Sequence, residues 1–159
     1  RKNVKMLTGQ GVFSEAELKS RCDIMLENYC KAVVIEANTM VDMARSQIAP
    51  AVESYSLKIA KTAAAKKALD PELACGYETE LVRKLSVLTD RIAVKTGELE
   101  AAVTALHTAE DIISGSEAIR DTVLPGMDEL RLACDEAETL TAKSEWPFPT
   151  YGDLLCGVR

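Results

Sequence analysis

Aromatic residues are scarce in this sequence, at 4% of 159 positions, and histidine occurs once. A β-sandwich draws on aromatic and β-branched side chains, so the scarcity, set beside abundant Ala, Leu, Ile and Val, points to closely packed helices. No apolar–polar alternation of period two marks a strand. With His107 the sole imidazole, a Ser-His-Asp triad or a Cys-His pair would have to use it, and it reads as a structural residue beside Leu106 on the margin of an amphipathic stretch. A di-iron bundle needs a Glu-x-x-His pair on each of two helices, and Glu110 follows His107 in the reverse order. Cysteines at metal-binding spacing are missing too. Cys22, Cys30, Cys75, Cys134 and Cys156 are odd in number and include no CxxC, which argues against zinc and against a secreted disulfide framework. Gly9-Gln10-Gly11 lacks the Lys-Ser/Thr ending of a phosphate loop. No apolar run approaches the roughly 18 residues of a membrane span.

A basic surplus is also lacking. The net charge is −6, so nucleic acid is not an expected partner. The charge is uneven: residues 1–69 carry 11 basic and 7 acidic side chains, residues 70–159 carry 8 and 18. Two halves of opposite sign are expected to pack on each other. Lys58, Lys61, Lys66 and Lys67, interleaved with Ala, read as a solvated helix face.

What is present is length for a core and a strong helical period. Apolar residues make up 47%, enough for one globular domain. Residues 1–13 read as a lead-in, polar and extended-looking, with Thr8-Gly9-Gln10-Gly11 as a turn; the start at Arg1 suggests a piece of something longer. Ser14 and Glu17 form a capping box, and Phe13 and Leu18 are placed as a hydrophobic staple. A long helix over 15–69 follows, with Leu18, Cys22, Met25, Tyr29 and Val33 as its apolar stripe, widened by Ile24 and Leu26. Pro50 predicts a kink near Gln47–Pro50. Over 77–112, Leu81, Leu85, Leu88, Ile92, Lys95, Leu99, Ala102 and Leu106 alternate spacings of four and three, a heptad seam apolar at every position but Lys95. It predicts a helix of roughly 45 to 50 Å at about 1.5 Å per residue, weakened by Gly97. Ser114-Gly115-Ser116 reads as a break, with Ser116 capping a helix over 116–143 interrupted at Pro125. In the tail, 145–159, Trp146-Pro147-Phe148-Pro149 is held extended by its prolines. Trp146, Phe148 and Tyr151 therefore sit on an extended strap, either folded over the bundle or reaching to a neighbouring subunit.

Two stretches resemble a known family. Gly11-Val12-Phe13-Ser14-Glu15-Ala16-Glu17-Leu18-Lys19-Ser20-Arg21, running through Glu27-Asn28-Tyr29-Cys30-Lys31 and Ile35-Glu36-Ala37 to Asp42-Met43-Ala44-Arg45-Ser46-Gln47-Ile48-Ala49-Pro50-Ala51, resembles the region after the catalytic part of type III glutamine synthetases. Trp146-Pro147-Phe148-Pro149-Thr150-Tyr151-Gly152-Asp153-Leu154-Leu155 looks like that family's terminal segment. The resemblance implies a parent enzyme that joins ammonia to glutamate with ATP and a divalent metal such as Mg, in a cytoplasmic ring assembly. The family's catalytic and metal residues lie upstream, so it implies no catalytic, cofactor-binding or metal-binding residue in this stretch.

The expectation is an all-α bundle of about three long, partly kinked antiparallel helices. Its role would be a structural or assembly one, with the catalytic domain of the same chain and neighbouring subunits as partners. The rival is a free-standing adaptor or coiled-coil oligomerisation module, with the Leu81, Leu85, Leu88, Ile92, Leu99 and Leu106 seam as its interface.

Overall fold

The computed structural model describes residues 2–106, 111–149 and 151–157. Among them every regular element is helical: α1 (Lys2–Gly9), α2 (Glu15–Met43), α3 (Ala49–Leu69), α4 (Gly76–Ala105), α5 (Ile112–Ala118), α6 (Leu124–Leu140) and α7 (Tyr151–Cys156). The all-α class expected from the composition holds.

The lead-in differs from its extended reading, since α1 occupies most of it. Its end is set by Gly11 at φ 68, where Val12 N–H donates to Leu7 O at 3.0 Å and Gly11 N–H to Thr8 O at 3.1 Å. This left-handed closure satisfies two terminal carbonyls and turns the chain into α2. There the Ser14 side chain accepts from Glu17 N–H at 3.2 Å, and the Glu17 carboxylate accepts from Ser14 N–H at 2.8 Å. The Arg21 guanidinium lies 4.7 Å from the Phe13 ring centroid, a cation–π contact that closes the corner.

Neither internal proline stops its helix. Ala44–Ile48 is a π segment joining α2 to α3, and Ile119–Val123 joins α5 to α6 in the same way. Each ends two residues before a proline, Pro50 or Pro125. The residue ahead of each proline donates five residues back, Ala49 to Ala44 O and Leu124 to Ile119 O. A wider turn gives the pyrrolidine ring room from the carbonyl four residues behind it. It also corrects phase. Ala44, Ile48, Val52 and Ser56 are buried at successive spacings of four, and each such step advances an α-helical face by about 40°. The wide turn takes back part of that drift.

The Ser114-Gly115-Ser116 break expected from sequence is a stretch of helix. The start lies earlier, at Asp111, whose carboxylate accepts from Ser114 N–H at 2.7 Å while Ser114 Oγ accepts from Asp111 N–H at 3.2 Å. Ser114 supplies the returning hydroxyl of a capping box, a role read from sequence mainly in Glu or Gln, and Ser116 therefore has no end to cap. The heptad helix ends as α4 at Ala105, short of the expected 112.

The core runs between three long helical stretches: α2 to α3, α4, and α5 to α6. α4 packs against both of the others. Arg45 grips Glu100 in a two-pronged pair, at 3.1 and 2.5 Å, while Lys66 pairs with Glu78. As numbering rises on one side it falls on the other, so the two helical stretches run antiparallel. Lys95 to Glu129 at 2.7 Å and Arg91 to Glu136 at 3.3 Å fix α4 against α6 in the same sense. The opposite charges of the two halves meet in Arg45–Glu100, Lys58–Glu145 and Lys66–Glu78.

Candidate functional site

The residues singled out from sequence fall into two groups. The first is the seam. Leu85 and Leu99 are fully buried, Leu81, Leu88 and Ile92 nearly so, and Leu106 is half-buried at the end of α4. These side chains are used up inside the chain, against α3 and α6, because α4 has a partner on each side. The rival interface reading thus loses the surface it needs. At the exception in the heptad, Lys95 turns to the rim, where it pairs with Glu98 and Glu129. The adjacent Thr96 is buried in its place, donating to Ile92 O at 2.7 Å.

The second group is the strap. Trp146 and Phe148 are half-buried against the core, their rings edge to face with centroids 6.5 Å apart. With Met43, Ile48, Cys134 and Leu154 they line a slot of about 270 Å³. Lys58 to Glu145 at 2.6 Å and Lys143 to Asp153 at 2.5 Å tie the strap at either end of the aromatic pair. The 145–159 stretch is not extended throughout, since α7 forms once the prolines are past and no longer restrict the backbone. Tyr151 opens that helix; its side chain lies outside the described positions. His107 and Glu110 also lie outside the described residues.

Sequence reasoning missed an exposed surface. The stripe Leu18, Cys22, Met25, Tyr29 and Val33 was expected to face the core as a unit. Only Val33 is buried and Leu18 is half-buried; Cys22, Met25 (72% exposed) and Tyr29 (43%) face outwards, with Ile24 (54%) beside them. Helix length explains this. In the register set by Arg45–Glu100 and Lys66–Glu78, the end of α4 lies opposite the neighbourhood of Met40. The first half of α2 therefore overhangs α4, and with α1 it forms an arm in which no described residue before Val33 is buried. At its base, Cys30, Val34, Leu106, Ile112 and Ile119 line an apolar groove. The signal lay in comparing lengths, since the apolar period before Met40 is longer than anything that could cover it.

Chemistry is sparse across the described residues. Among the described residues, no group of three or more His, Cys, Asp or Glu side chains stands together to hold a metal ion. Among the described residues, no helix is long and apolar enough to cross a membrane. Burial pushes the Cys134 thiol up to about 11, away from nucleophilic use. The carboxyl of Glu78 is held below its ordinary range by the hydrogen bond from Lys66, and the same bond raises the Lys66 ammonium. The Lys66–Glu78 pair is a tethering interaction between helices.

Known proteins resemble this chain. Residues 1–67, spanning the arm and the first long helical stretch, match the family model of the glutamine synthetase C-terminal domain. Over these residues the chain is similar to the C-terminal domain of glutamine synthetases. A glutamine synthetase of Butyrivibrio fibrisolvens is 29% identical over 157 residues, covering 99% of this chain and 22% of that protein. A type-3 glutamine synthetase of Dictyostelium discoideum is 25% identical over 162 residues, covering 97% and 22%. A glutamine synthetase of Bacteroides fragilis is 27% identical over 154 residues, covering 94% and 21%. The chain thus spans about a fifth of the length of the curated relatives it matches. The glutamine synthetase resemblance carried by the opening and closing motifs stands, and the similarity to these relatives runs through the middle helices as well.

Proposed function

We propose that this chain is the non-catalytic, carboxy-terminal helical domain of a type III glutamine synthetase, with a structural role in seating and assembling subunits. In this reading the parent polypeptide is a cytoplasmic glutamate–ammonia ligase of nitrogen assimilation. ATP and Mg are used by its catalytic region, and neighbouring subunits of a homo-oligomer are its partners. The observation that carries the reading is the alignment of 99% of the chain with 22% of a glutamine synthetase. The geometry supports it: the ion pairs between helices are tethers, and among the described residues no buried polar side-chain atom lacks a hydrogen-bond partner.

The test compares the complete polypeptide with a version lacking these residues. Glutamine formation from glutamate, ammonia and ATP is assayed beside particle mass by light scattering. The expected result is a ligase whose assembly suffers when the domain is removed. A complete polypeptide without ligase activity, or a truncated one with unchanged assembly and stability, overturns the reading. Turnover by the isolated chain that disappears in His107→Ala would overturn it from the other side.

A further inference from the structure

We infer that the arm formed by α1 and the first half of α2 is the surface by which this domain seats on the catalytic region of its own polypeptide. The inference rests on the function proposed above and adds the contact surface to it.

The corner of the arm is set by local contacts, before anything covers it. A left-handed glycine closure, a capping box and the Arg21–Phe13 contact fix the corner between its two helices. An uncovered helix gains little from its apolar side chains, since tertiary packing supplies most helical stability in a folded protein. Yet this one presents Ile24, Met25 and Tyr29 to solvent, and α1 adds Met6 at 52% exposure. Large apolar side chains left exposed along one segment are the kind of surface an interaction site offers.

Two observations choose the occupant. In the matched glutamine synthetases this stretch accounts for 21–22% of the polypeptide, so about four-fifths of each chain is protein with a surface to offer. The arm also lies wholly within residues 1–67, the part that the C-terminal domain family model matches. An exposed stripe inside the shared unit is accounted for by a partner that the same relatives also carry. A second copy of this domain is the competing occupant. The heptad seam cannot serve it, being buried within the chain.

Hydrogen exchange on two samples decides the matter: the isolated chain and the complete polypeptide. In the isolated chain, amides of residues 15–31 should exchange much faster than those of residues 33–43. In the complete polypeptide the 15–31 segment should slow by about tenfold or more, as for a helix whose opening is now coupled to docking. Met25→Asp with Tyr29→Asp should abolish that slowing in the complete polypeptide. Both positions are exposed, and unchanged circular dichroism of the isolated variant checks its folding. Equal exchange of the arm in both samples overturns the inference. So does protection that grows with concentration of the isolated chain alone, because a second copy is then the occupant. A complete polypeptide that protects the arm but shows no ligase activity sinks the functional reading and leaves the seating surface standing.

Discussion

At the scale of single residues, the structure separates positions that hold shape from positions that are free to improve. Gly97 sits on the outer side of α4, and a Cβ added there meets nothing within 4 Å. Gly97→Ala should therefore raise stability by about 0.5–1 kcal/mol through helix propensity and the unfolded chain, read as a higher denaturation midpoint. Cys134 is buried with its thiol raised to about 11, whereas Cys22 and Cys156 are exposed. Brief alkylation at neutral pH followed by peptide mass spectrometry should label Cys22 and Cys156 and spare Cys134. Glu78 gives a pH signature. Its carboxyl titrates below the ordinary value of 4.5 when folded, so its contribution is present above that value and is lost as pH falls through the folded pKa. Lys66, raised above 10.5, contributes below that value and fades as pH climbs through its own folded pKa. Glu78→Gln should accordingly lower the melting temperature at neutral pH, with the gap from wild type closing in acid.

At the scale of elements, the tail offers the clearest test. Trp146 and Phe148 are half-buried against the core, and removing residues 146–159 should cost about 2 kcal/mol, measured as a reduced unfolding midpoint of the isolated chain. An unchanged midpoint would show that the aromatic pair contributes nothing to this bundle. How far the elements were legible depended on whether their signal was local. The Ser14–Glu17 cap and the Leu81–Leu99 seam were, because capping and amphipathic period are written in neighbouring residues. Asp111 was overlooked because Ser114-Gly115-Ser116 carries the stronger breaker signature, although the α5 that holds it packs against α2. Pro50 was read as a kink and Pro125 as an interruption. What kept Pro50 and Pro125 within continuous helices was a wider turn five residues long, a backbone adjustment with no residue signature of its own. Exposure of Met25 and Tyr29 was beyond a local reading altogether, since it follows from where another helix stops.

At the scale of the whole molecule, stability concentrates where α4 meets both neighbours. Leu99 is fully buried and approaches Gly126, where a Cβ would stand 3.4 Å from Leu99 Cδ1. Leu99→Ala should cost roughly 2–5 kcal/mol in chemical denaturation, because backbone on the α6 side is already close and cannot readily collapse into the space. Surface ion pairs will matter far less. Arg45–Glu100 and Arg91–Glu136 are half exposed, and pairs of that kind contribute at most about 1 kcal/mol each.

The central place of α4 also bears on how the molecule comes apart. A helix flanked on two sides cannot be peeled away by itself, and once it has gone the flanks keep only the narrower contact of α2 with α5 and the π segment that follows it. Heat or denaturant should thus meet one indivisible block with a loose handle attached, the handle being whatever lies ahead of Val33.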